Sequence, residues 1–216
     1  MSGSPLKKVG KTREQIINDI KSVFSDYDVK IILFVREHVS WLVSLYKQYV
    51  HSGGTKRFGD FIDMVDEVCE YNYGEGLYEA YGYAPYIDLL HERFGKGSVF
   101  VETFERLKAN PRAVIESLSS FLGESTLPPF KQEKRNVGFG ATQLQVARQL
   151  NKLWKTPMDS NGLFPFNLTP FILKRRLFFR LFPQKFDISK EWKDFLAKKF
   201  RIDKDLLKKK HGLSFD

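Results

Sequence analysis

The residues best placed to do chemistry gather behind one short apolar run. Arg36 directly follows Lys30-Ile-Ile-Leu-Phe-Val35, and Ser40 and Ser44 follow the arginine at spacings of four and eight. On a helix that spacing puts both hydroxyls on one face. A guanidinium forks onto phosphate oxygens bidentately, so an arginine beside helix-borne hydroxyls suits a dianionic phosphate. The competing account pairs Arg36 with Glu37 or Glu102 and makes it a cap on a sheet. Spacing does not separate the two.

Other candidates are weaker. Val9-Gly10-Lys11-Thr12 has the look of a phosphate-cradling loop, but that pattern wants glycine where Pro5 stands. Thr12 reads better as a helix N-cap. Cys69, the single cysteine, makes no internal disulfide and no thiolate metal site. His38, His51, His91 and His211 are widely separated along the chain, so no metal is expected. Tyr71, Tyr73, Tyr78, Tyr81 and Tyr83 cluster closely enough to line a sugar or aromatic cleft. Core and rim packing is the simpler reading of the same cluster.

The elements that must position Arg36 are legible from pattern. Thr12-Arg-Glu-Gln15 is a capping box ahead of an apolar stripe from Ile16 to Phe24. Lys30–Val35 reads as a strand buried on both faces, as in a parallel sheet. Helices are expected over Ser40–Val50, Phe58–Glu70 and Ala84–Phe94, with an aromatic loop from Tyr71 to Tyr78. Ser98–Glu102 reads as a second buried strand. Asn110-Pro111 opens a helix that runs to Leu122 before Gly123. A loop over 124–140 precedes a helix over Ala141–Trp154. Helical segments follow near Thr169–Phe182, Ser189–Phe200 and Asp203–Lys210. Helix and strand alternate in the manner of an α/β fold.

The 216 residues carry 42% hydrophobic side chains and 20 phenylalanines, ample for a real core. Bulk disorder is excluded on that composition. The formal charge of +9 is uneven. Residues 1–171 hold 21 Lys and Arg against 20 Asp and Glu; residues 172–216 hold 14 against 6. The basic C-terminal part interleaves cations with bulky apolar groups over Phe171–Phe182, as an interfacial helix would. Peripheral membrane contact through 171–182 is therefore one expectation, and a helix packing its Phe face on the core is the other. No reading motif for nucleic acid accompanies the charge. No apolar run approaches the roughly 18 residues of a membrane span, and Met1–Lys8 has no apolar signal core. The expected location is cytoplasmic.

The stretch Lys30-Ile-Ile-Leu-Phe-Val-Arg36-Glu-His-Val-Ser-Trp-Leu-Val-Ser44-Leu-Tyr46 resembles the 3′-phosphate-binding segment of the sulfotransferases that use 3′-phosphoadenosine-5′-phosphosulfate (PAPS). A second block follows in the same order. It comprises Tyr86-x-x-Leu89, Phe94-Gly, Val99-Phe-Val-Glu102-x-Phe, Asn110-Pro111 and Phe121-Leu122-Gly123. This block is similar to bacterial and carbohydrate-type members. Lys134-Arg135-Asn136 resembles the late basic loop of that group, and the likeness spans about residues 30–155. His38 stands where the family often has proline.

The resemblance implies an α/β, P-loop-NTPase-like three-layer fold with a parallel sheet, incomplete at the N-terminus and helix-rich in its C-terminal part. The family's 5′-phosphosulfate loop lies upstream of the 3′-phosphate segment, and Met1–Val29 does not supply its pattern. The expectation is thus a truncated or divergent member, with residues 1–155 as the sulfotransferase-like domain. Residues 156–216 would be a basic helical extension packing on it. The implied function is sulfuryl transfer from PAPS, without a metal, to a hydroxyl or amine of a carbohydrate or small molecule. Arg36, Ser44, Lys134 and Arg135 are the implied cofactor-binding residues, and the general base is not identified. The alternative is a non-catalytic nucleotide- or membrane-binding protein on a degenerate version of the fold.

Overall fold

The computed structural model describes residues 12–124, 139–166 and 185–215. Lys134, Arg135 and the Phe171–Phe182 segment lie outside the described residues. The fold is α/β, helix-rich, with a small parallel sheet. In chain order the elements are α1 (Arg13–Val23), β1 (Ile31–Val35), α2 (His38–His51), α3 (Phe58–Tyr73), α4 (Leu77–Ala80) and α5 (Tyr83–Phe94). Then come β2 (Val99–Thr103), α6 (Phe104–Ala109), α7 (Pro111–Leu122), α8 (Ala141–Asn151), α9 (Lys190–Lys199) and α10 (Arg201–His211).

Local signals account for most of the boundaries. The Thr12 side chain accepts from the Gln15 amide and Gln15 returns the bond, so the expected capping box opens α1. Asn110 caps α7 through Ala113 N, Pro111 occupies the first turn, and Gly123 closes the helix at φ 79°. That left-handed conformation favours glycine. The expected aromatic loop is largely helical instead. Nothing breaks the pattern before Gly74, so α3 continues to Tyr73, and Leu77–Ala80 adds one more turn.

The chain divides into two compact units. The first comprises Lys8–His38, Cys69–Gln132 and Phe195–Asp216; the second comprises Met1–Lys7, Val39–Val68 and Glu133–Asp194. In the first, β1 and β2 pair in parallel from Ile31↔Val99 to Val35↔Thr103. One face of this pair is the core. Val35, Ala84, Ile87 and Leu207 pack together, and Ile17, Leu90 and Val99 form a neighbouring cluster. The other face is open: Ile32 is 44% and Phe34 37% exposed, and Phe100 meets Phe121 at 5.5 Å. The expectation of a strand buried on both faces is corrected here. Burial along β1 alternates, because α1, α5 and α10 supply apolar side chains to one face only among the described residues.

The second unit is built on aromatic packing. Tyr46 and Tyr49 of α2 lie 5.4 and 5.1 Å from Phe61 of α3, and Phe58 meets Trp192 at 5.6 Å. Asn151, at the end of α8, donates to Val50 O at 2.8 Å and Gly54 O at 2.9 Å. This ties the end of α2 and its closing turn to α8. Gly53 in that turn has φ 106°, and a Cβ there would meet Thr156 Cβ at 2.3 Å.

Candidate functional site

Arg36 stands just past the carboxyl end of β1, the position where open parallel sheets bind ligands. Its guanidinium lies 5.2 Å from the Phe104 ring centroid, within cation–π range. Its Nε is buried and has no hydrogen-bond partner among the described residues. The carboxylates that might have neutralised it are held elsewhere. Glu102 accepts from Arg106 Nη1 at 2.7 Å and from the Thr103 amide at 2.7 Å. Glu37 accepts from Lys204 Nζ at 2.6 Å. The ion pairs described for these two carboxylates are with Arg106 and Lys204. Among the described residues, the sheet-capping account therefore loses the partners it proposed.

His38 opens α2 and is fully buried. Its Nε2 lies 2.9 Å from Asp203 Oδ2, and its ring stacks at 4.3 Å on Phe200 and 4.5 Å from Tyr83. Asp203 also accepts from Tyr83 N at 3.0 Å and Ala84 N at 2.9 Å. These are the first two amides of α5, which Gly82 leaves without a side-chain cap. Burial pushes the Asp203 carboxyl up, but the bonds from His38, Ala84 and Tyr83 outweigh it and hold its pKa below the ordinary value. The Tyr83 phenol is pushed up to about 12, chiefly by burial and then by Asp203, Glu105 and Glu37; the Arg36 backbone N–H opposes the rise.

The four sequence-predicted binding residues fall in different places. Arg36 belongs to the first unit. Ser44 sits half-buried on α2 in the second, one turn beyond Ser40. Lys134 and Arg135 are among the undescribed residues. Thr12 is the N-cap of α1. The tyrosine cluster splits. Tyr73 and Tyr78 line a cavity of about 620 Å³ together with Tyr86, Glu75, Glu79 and Lys199. Tyr81 and Tyr83 do not line it. Burial, before any charge effect, pushes the Tyr81 phenol up to about 12.

Two features escaped the sequence reading. Asp203 gathers partners 119 to 165 residues away, and nothing local in Arg201–His211 distinguishes it from a surface aspartate. His91 and His211 meet with ring centroids 5.6 Å apart, and His211 Nε2 lies 3.3 Å from Asp88 Oδ1. Among the described residues no cluster of three or more His, Cys, Asp or Glu side chains is arranged to hold a metal. No described helix is long and apolar enough to cross a membrane.

Comparison with known proteins bears on the whole of this arrangement. A sulfotransferase domain model matches residues 16–159. A solved sulfotransferase from Alicyclobacillus acidocaldarius superposes with a TM-score of 0.55 at 16% identity, covering 90% of this chain and 58% of that one. The chain thus spans little more than half the length of that relative, and the likeness at this identity is one of fold. No curated protein matches the sequence. With the matched segment running through β1, Arg36 and β2 to the end of α8, the chain belongs to the sulfotransferase family.

Proposed function

We propose that this chain binds PAPS through its 3′-phosphate, with Arg36 and Ser44 as ligands and Lys134 and Arg135 contributing to the nucleotide site. The reaction served is sulfuryl transfer to a hydroxyl or amine of a carbohydrate or small-molecule acceptor. In this reading residues 1–155 are the sulfotransferase-like domain and 156–216 a basic extension. The observation that carries it is Arg36, 5.2 Å from the Phe104 ring centroid at the carboxyl end of a parallel strand, with a buried Nε that has no partner among the described residues.

The co-substrate supplies the activated sulfuryl group; the residues described here supply grip and orientation. A stacked guanidinium presents two parallel N–H bonds to a phosphate dianion without first having to be ordered. The hydroxyl of Ser44 can donate one further bond. Holding the donor in a fixed pose is a catalytic contribution in its own right, since it converts encounter into alignment.

The test is calorimetric titration of 3′-phosphoadenosine-5′-phosphate into the wild type and Arg36→Ala. Two charge-assisted hydrogen bonds together contribute at least about 3 kcal/mol, so the substitution weakens binding more than about a hundredfold. A folded wild type that binds no nucleotide, or an Arg36→Ala variant that binds as well as wild type, overturns the reading.

A further inference from the structure

Arg36 and Glu37 connect β1 to α2 and His38 opens the helix, and each of the three is held from elsewhere in the first unit. The Arg36 guanidinium lies 5.2 Å from the Phe104 ring centroid. The Glu37 carboxylate pairs with Lys204 at 2.6 Å, and its amide donates to Glu105 Oε1 at 3.3 Å. The His38 imidazole meets Asp203 at 2.9 Å between the rings of Tyr83 and Phe200. Two of these ties, Asp203 and Lys204, are neighbours on α10. Asp203 also accepts from the Tyr83 and Ala84 amides, so the same carboxylate anchors the start of α5. Asp203 thus ties α10 to His38 and to the start of α5, and Lys204 ties it to Glu37.

We infer that Asp203 and Lys204 of α10 are positioning residues for Arg36, holding its guanidinium in the anion-binding pose before any ligand arrives. The inference deepens the nucleotide-binding reading and rests on it for its ligand. Neither residue touches the phosphate. Asp203 is engaged in three bonds within the protein, and Lys204 in one to Glu37. Their effect passes through the backbone of Arg36–His38. An unheld connection would let the arginine sample other rotamers, and ordering it on binding would then reduce affinity. For one immobilised side chain and its backbone that reduction is about tenfold.

The experiment has two readouts on wild type, Asp203→Asn and Lys204→Met. The first is the amplitude of motion of the Arg36 Nε–H bond by ¹⁵N relaxation without ligand, assigned with Arg36→Ala. The second is the dissociation constant of 3′-phosphoadenosine-5′-phosphate, measured also with each substitution in the Arg36→Ala background. Asp203→Asn keeps an oxygen for one of the two α5 amides while removing the charge that His38 meets, and Lys204→Met changes a partly exposed site. If Asp203→Asn does not fold, Lys204→Met is read in the same way. The expected result is a more mobile Arg36 Nε–H and about tenfold weaker binding, with less than about a twofold effect once Arg36 is alanine. Equal mobility of Arg36 in folded variants overturns the inference, whatever the nucleotide does. So does an equal loss of affinity in both backgrounds. A wild type that fails to bind nucleotide overturns the functional reading instead, and the mobility measurement still decides the positioning role.

Discussion

Asn151→Asp is the most economical test of how the second unit is held together, because it alters chemistry while preserving shape. Asn151 is 1% exposed, its amide nitrogen donates to Val50 O and Gly54 O, and its Oδ1 has no partner. A carboxylate in that position would face two carbonyl oxygens with nothing to donate. The group escapes by taking up a proton, so the ionic penalty is capped by the free energy of protonation. From an ordinary aspartate pKa of about 3.9, being held protonated at pH 7 amounts to about 3 units, or about 4 kcal/mol at about 1.4 kcal/mol per unit. The resulting O–H satisfies one carbonyl and leaves the other bare, which adds about 1 kcal/mol. The expected loss is therefore about 5 kcal/mol at pH 7 and about 2.5 kcal/mol at pH 5. The sign follows from linkage. A folded-state pKa raised above the unfolded one makes the variant recover stability as pH falls. Urea unfolding followed by tryptophan fluorescence reads this unit selectively, since Trp41, Trp154 and Trp192 all belong to it. A difference from wild type that is flat between about pH 5 and pH 7, or below about 1 kcal/mol throughout, refutes the reasoning.

Glycine substitutions separate conformational strain from collision. Gly123→Ala, at φ 79° with open space around it, is expected to cost about 1 kcal/mol. Gly53→Ala adds a clash with Thr156 to φ 106° and should cost at least twice as much in the same urea assay. Burial, then His211 and Lys96, hold the His91 pKa below its ordinary 6.5. A base depressed in the folded state gives stability that is present above the unfolded pKa and lost as pH falls through the window beneath it. Melting curves followed by circular dichroism from about pH 5 to pH 8 should show wild type gaining on His91→Gln as pH rises; parallel curves would contradict the assignment.

What was legible in the sequence was local. The caps at Thr12 and Asn110 depend on residues three positions apart, and both form as read. Arg36 could be placed at a strand end because the apolar run stops there. The face exposed by β1 could not be read, since Ile31-Ile32-Leu33-Phe34-Val35 is apolar throughout and the lack of cover on one side belongs to the tertiary arrangement. The boundary of α3 moved for a similar reason, as tyrosines tolerate a helix that Gly74 alone ends. Asp203 was invisible because its value lies in partners contributed by β1–α2 and α5, far away in sequence. Its neighbours Lys204 and Asp205 look much the same on the page. The two carboxylates nearest Arg36 in the sequence reading, Glu37 and Glu102, turned out to serve Lys204 and Arg106. Only the fold could decide that.

The interleaving of the first unit has a consequence for its synthesis. Val35, Ala84 and Ile87 share a core with Leu207, and the unit's last stretch begins at Phe195. A ribosome delivers Val35 long before the side chain that covers it. Until Leu207 emerges, the nascent chain carries a sheet face with part of its apolar cover missing, the amide end of α5 without Asp203 and His38 without its carboxylate. Completion of this unit therefore waits for α10 to emerge, and until then the growing polypeptide is a natural client for holding chaperones.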